Sequence, residues 1–74
     1  MKDRINQVLR KIHPGIDFTG EDRIFTGHVL DSLEFTEVVS ALEDEFGVTI
    51  DFEKLMPANF DSLEKIEKLL SEQR

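Results

Sequence analysis

Apolar residues recur at helical intervals along much of the chain. Ile5, Val8, Leu9 and Ile12 follow the i, i+3, i+4, i+7 spacing that gathers side chains on one helix face. The spacing predicts a first helix over residues 2–12, ended by His13-Pro14-Gly15 because proline disfavours helical backbone in the residue before it. Leu33, Phe35, Val38, Val39, Leu42 and Phe46 supply the apolar face of a second helix. Its expected N-cap is Asp31, with Glu34 as the acidic half of a capping box, Leu30 and Phe35 as a hydrophobic staple and Gly47 as the stop. Leu63, Ile66, Leu69 and Leu70 mark the last helix, with Asp61 as its expected cap. Before it, Asp51 is expected to cap a brief third helix containing Phe52, Leu55 and Met56, which Pro57 closes. Val48-Thr49-Ile50 is β-prone but too short and isolated to build a sheet.

The segment from Pro14 to Asp31 is long for a connection in so small a chain. It is punctuated by Ile16, Phe18, Ile24, Phe25, Val29 and Leu30, so it reads as a loop pinned over the core. One helical turn is expected near Glu21 to Phe25, with turn freedom from Gly20 and Gly27. The predicted architecture is therefore all-α: a four-helix bundle with three longer helices, a short third one and a long loop between helices 1 and 2. A core of about fifteen apolar side chains would serve one domain over residues 1–74. A chain of 74 residues buries only about 60% of its unfolded surface, which leaves little depth for a water-excluding catalytic pocket.

Charge narrows the function. Nine basic residues face sixteen acidic ones, a formal net charge of −7, the reverse of the basic footprint that nucleic acid or an anionic membrane requires. Between Ile24 and Glu53 there is no Lys or Arg, but there are eight acids: Asp31, Glu34, Glu37, Glu43, Asp44, Glu45, Asp51 and Glu53. Such a run is either a solvated helix face or an acidic recognition surface for a partner with a basic docking face. Crowded like charges repel, so modest salt or Mg²⁺ is expected to raise the melting temperature. A flat or falling melting temperature across a salt series would contradict this. Cysteine is absent, so the chain has neither disulfides nor thiolate metal sites. No apolar run resembles a signal peptide or a membrane span, and a cytoplasmic, monomeric protein is the expectation.

The tetrapeptide Asp-Ser-Leu-Glu occurs at 31–34 and again at 61–64, each time at a helix start. A cap alone can generate it, so context must separate the copies. The first follows the long loop and opens the most acidic helix. A serine at the first helical position meets backbone N–H groups without helical partners and the positive end of the helix dipole, a setting that suits a phosphate ester. The second copy opens a helix where Glu64, Lys65, Glu67 and Lys68 alternate in charge, after a short loop, and reads as a cap.

The stretch Gly27-His28-Val29-Leu30-Asp31-Ser32-Leu33-Glu34-Phe35 resembles the attachment motif of acyl carrier proteins, and Val38 to Gly47 is similar to that family's acidic second helix. The resemblance extends through Ile50 to Ile66, with residues 1–25 less specific. It implies a carrier that is not itself an enzyme. Ser32 would accept 4′-phosphopantetheine from coenzyme A, Asp31 would cap the helix and help a phosphopantetheinyl transferase place Mg²⁺ and coenzyme A, and Leu33 would lie near the arm. Glu34, Glu37, Val38, Glu43 and Asp44 would meet the transferase, an acyl- or aminoacyl-activating ligase and downstream enzymes. Cargo on such an arm is a thioester, as in fatty acid biosynthesis. However, Pro57 to Ser62 resembles aminoacyl and peptidyl carriers, and Gly27 to Leu33 resembles free-standing D-alanine carriers, so a specialised carrier is the preferred expectation.

Three other readings compete. Ser32, His28 and Asp31 hold the atoms of a hydrolase triad, but they lie within five residues and have no evident oxyanion pocket. Glu43 to Glu53 is acidic around Gly47, but Phe46 and Val48 break the alternation of ligands that a calcium loop needs, so no metal site is expected. An unmodified acidic helical interaction module explains the charge and amphipathicity equally well, and only the context of Ser32 opposes it.

Overall fold

A computed structural model of the chain describes residues 1–73. It contains α1 (Lys2–Ile12), α2 (Ser32–Phe46), two 3₁₀ turns, η1 (Phe52–Lys54) and η2 (Pro57–Phe60), and α3 (Leu63–Glu72). There is no strand among the described residues. The all-helical expectation therefore holds, but the short third helix does not form as one piece. Pro57 opens η2 rather than closing a helix, because its fixed φ suits a first position and it has no N–H to leave unpaired. Asp51 makes no side-chain cap bond, and Phe52 (88% exposed) and Met56 (52%) lie outside the core.

The core is formed by α1, α3 and the inner face of α2, with the long loop laid across it. Among the described residues fifteen apolar side chains are buried, although the membership differs from the sequence expectation. Leu33 is 74% exposed, whereas Phe60, from the connection before α3, is fully buried. Phe60 stacks edge-on against Phe35, which stacks edge-on against Phe25, each pair with ring centroids 5.1 Å apart. This aromatic ladder joins η2, α2 and the long loop, and T-shaped contacts of this kind add to simple burial. Phe18, Ile24, Phe25 and Leu30 are buried, so the loop is pinned as its apolar punctuation predicts. Asn6 of α1 adds a polar anchor by accepting the Phe18 N–H at 3.2 Å.

The helical turn within the loop comes later than expected. Gly27 N–H donates to Arg23 C=O (2.8 Å) and His28 N–H to Phe25 C=O (3.1 Å), while Leu30 N–H returns to Ile24 C=O (2.9 Å). Gly27 does not supply a positive φ here. A Cβ at Gly27 would lie 2.5 Å from the Arg23 carbonyl oxygen, so the residue is required for close approach. Gly47 does adopt the left-handed conformation (φ 64°) and ends α2, with the Val48 N–H reaching back to Glu43 C=O. Gly47→Ala is expected to lower stability by about 1–2 kcal/mol, since a side chain pays the left-handed penalty. For a domain this small each kcal/mol moves the melting temperature by roughly 4–8 °C, and a thermal melt followed by circular dichroism would detect the loss.

Candidate functional site

At the start of α2, Asp31 is extended (φ −95°, ψ −177°) and its Oδ1 accepts the Glu34 N–H at 2.8 Å. Glu34 Oε1 in return accepts the Asp31 N–H at 3.1 Å, completing the capping box that the spacing predicts. The other Glu34 oxygen lies 2.6 Å from His13 Nδ1, so the last residue of the first-helix region is tied to the first turn of α2. Asp31 fixes the helix start one residue before Ser32. That leaves Ser32 at the first helical position, exposed, with no hydrogen bond to its hydroxyl among the described residues. Leu33 stands beside it as a bare apolar side chain. A depression of about 310 Å³ opens next to Ser32, lined by Phe25, His28, Leu30, Asp31, Phe35 and Pro57.

The second Asp-Ser-Leu-Glu copy folds in a different register. Here the serine is the N-cap: Ser62 is buried and accepts the Lys65 N–H at 3.1 Å. Asp61, expected to be the cap, instead points away into the long loop. Its Oδ1 accepts the N–H groups of Phe25 and Thr26 at 2.9 Å each, and its Oδ2 accepts the Thr26 hydroxyl at 2.6 Å. The Asp61 backbone carbonyl also takes the Ile24 N–H at 3.0 Å. The cap moves by one residue because Asp61, one position earlier, is committed to the loop amides, of which that of buried Phe25 would otherwise have no partner. The second motif therefore holds the turn that leads to the first. Burial by itself pushes the Asp61 carboxyl up, but the Thr26 hydroxyl and the two amides, with help from Lys65, hold it below the usual carboxylate value. The motif repeat marks the position of Asp61, but nothing in the local sequence indicates that its partners lie 35 and 36 residues away.

The residues expected to face partners divide into two groups. Glu37 and Asp44 are exposed on α2. Val38 is fully buried and packs in the core, so it is not part of an outer surface; the helical period turns it inward with Leu42. Glu34 is half-buried in the capping box and the His13 contact. Glu43 is half-buried too, its Oε2 accepting the Ile50 N–H at 2.8 Å to hold the chain after α2.

The local chemistry fits an attached phosphate ester. The hydroxyl of Ser32 is accessible, the Ser32 and Leu33 amides lie in a first turn where helical partners are lacking, and an apolar depression adjoins them. Compared with known families, residues 2–70 match the family model described as the phosphopantetheine attachment site. The chain belongs to that family. No curated protein and no solved structure matches it.

Members of the phosphopantetheine attachment-site family carry 4′-phosphopantetheine, and this chain is such a carrier domain. When attached, the group supplies a terminal thiol, which this chain without cysteine lacks. The chain itself has a capped helix start beside an exposed serine, and a long loop bonded to Asn6 near one end and to Asp61 near the other. No described helix is long and apolar enough to cross a membrane.

Proposed function

We propose that Ser32 is the attachment serine and that the carrier holds an acyl or aminoacyl group as a thioester, presenting it to partner enzymes. The supporting observation is the contrast between the two motif serines: Ser32 is exposed with an unengaged hydroxyl, while Ser62 is buried and committed as a cap. Loading forms a bond from Ser32 Oγ to the β-phosphorus of coenzyme A. The pyrophosphate bond breaks, adenosine 3′,5′-bisphosphate leaves and the hydroxyl proton passes to the transferase or solvent. Asp31 contributes by fixing the helix start, and exposed Glu37 and Asp44 offer charge to basic docking surfaces. Coenzyme A and the activating ligase would place this work in the cytoplasm.

Incubation with coenzyme A, Mg²⁺ and a broad-specificity phosphopantetheinyl transferase, followed by intact mass, tests the proposal. Trypsin separates the candidates, because the peptide 24–54 contains no internal Lys or Arg and holds Ser32, whereas 55–65 holds Ser62. One arm on peptide 24–54, fragmenting to Ser32 rather than Ser40, is the expected result. An arm on 55–65 would reassign the site, and no mass gain would leave an unmodified interaction module.

A further inference from the structure

His28 lines the depression beside Ser32, yet nothing described so far uses its side chain. The other histidine, His13, is engaged with Glu34. The His28 ring is exposed and makes no hydrogen bond or ion pair among the described residues. Its backbone, in contrast, is held tightly. The residue sits at φ 62°, in the left-handed region that histidine enters more readily than most side chains. Its N–H is bonded to Phe25 C=O, and the turn beneath it is clamped by the Asp61 carboxylate through Phe25 and Thr26. His28 and Ser32 thus line the same depression, with the His28 backbone held in place beneath its side chain.

The charge around Ser32 leaves a need that His28 can meet. A phosphodiester on Ser32 is an anion placed beside the Asp31 carboxylate, in a segment from Ile24 to Glu53 with no Lys or Arg. The first turn of α2 offers it limited help, because the Glu34 N–H is already taken by Asp31 Oδ1 and the Phe35 N–H by Asp31 C=O. Only the Ser32 and Leu33 amides of that turn remain. A neutral imidazole keeps one N–H donor, so a contact from His28 would not depend on its protonation.

We infer that His28 is a positioning residue for the attached arm, donating a ring N–H to a phosphate oxygen on Ser32 and holding the first part of the arm over the depression lined by Phe25, Phe35 and Pro57. This rests on Ser32 being the attachment serine. The experiment uses the wild-type carrier and His28→Gly, which removes the ring while accepting the positive φ. Both are loaded and checked by intact mass, then examined by proton and phosphorus NMR. Loading is expected to shift the His28 ring-proton resonances and leave those of His13 in place. The phosphorus resonance of the wild-type protein is expected to differ from that of its phosphopantetheinyl 24–54 peptide, and the difference should be lost in His28→Gly. Unmoved His28 resonances on loading, or the same phosphorus resonance in wild type and variant, would overturn the inference while leaving the attachment site intact. Failure of the wild type to load at all would overturn both.

Discussion

Ser32→Ala is expected to abolish phosphopantetheine loading completely while leaving the fold almost untouched. The Ser32 hydroxyl is exposed and unengaged, so its removal strands no buried partner. Alanine is also a good helix former at this position, and the Asp31–Glu34 capping box does not involve the Ser32 side chain. The expected stability change is within about 0.5 kcal/mol, as for surface substitutions generally. Ser62→Ala should do the reverse. It deletes a cap whose Oγ accepts the Lys65 N–H, at a cost of about 1 kcal/mol, and the variant should still load. Intact mass after the transferase reaction and a thermal melt on each variant check both halves. Loading that survives in Ser32→Ala would end the assignment.

Asp61→Ala is expected to have the largest effect on stability. It removes the acceptor of three hydrogen bonds to the long loop and leaves the Phe25 and Thr26 amides without partners. The buried Phe25 amide left as an orphan donor costs roughly 1–3 kcal/mol, while exposed Thr26 can turn to water, so a loss of about 1–3 kcal/mol is expected, a large share of the stability of a small domain. The turn carrying His28 and leading into Asp31 should loosen first, visible as faster amide exchange at Phe25 and Thr26. If those amides exchange as in the wild type, Asp61 is not the anchor.

The same carboxylate has a pH signature. Its pKa is lowered in the folded protein, so its charged form contributes stability that is present above the unfolded-state value, about 4. That contribution is lost as pH falls through the lower folded value. Asp61→Asn keeps an oxygen for the two amides but carries no charge. It should therefore be less stable than the wild type near neutral pH, with the gap narrowing below about pH 4. A gap that widens in acid would contradict the assigned sign.

The legibility of this chain differs by element. The bounds of α1 and α2 could be read from apolar spacing, the proline after His13 and the glycine at 47, because these signals act within a few residues. The capping box at Asp31 was legible for the same reason. The third helix was not: Asp51, Phe52 and Pro57 supplied local helical cues, but the chain forms two 3₁₀ turns and leaves Phe52 in solvent. Phe60 meanwhile enters the core, where it completes the ladder through Phe35 to Phe25. Short segments have too few local bonds to hold their own geometry, so packing decides them.

An all-helical chain with an acidic middle and two candidate serines was legible in the sequence alone, since periodicity, charge and capping are properties of neighbouring residues, and the resemblance of residues 27–35 to a carrier motif added the role. Only the tertiary structure decided how the two identical tetrapeptides differ. At the first, Asp31 caps and Ser32 is left exposed; at the second, Ser62 caps because Asp61 is drawn to the amides of a loop some 35 positions earlier. Glu34 was likewise tied to His13 on α1, and Glu43 to the Ile50 amide after α2, by contacts that the helix face alone does not show, whereas the burial of Val38 follows from its place on the apolar face. Buried backbone donors must find acceptors wherever the fold brings them, and that requirement, unlike a local propensity, cannot be read one segment at a time.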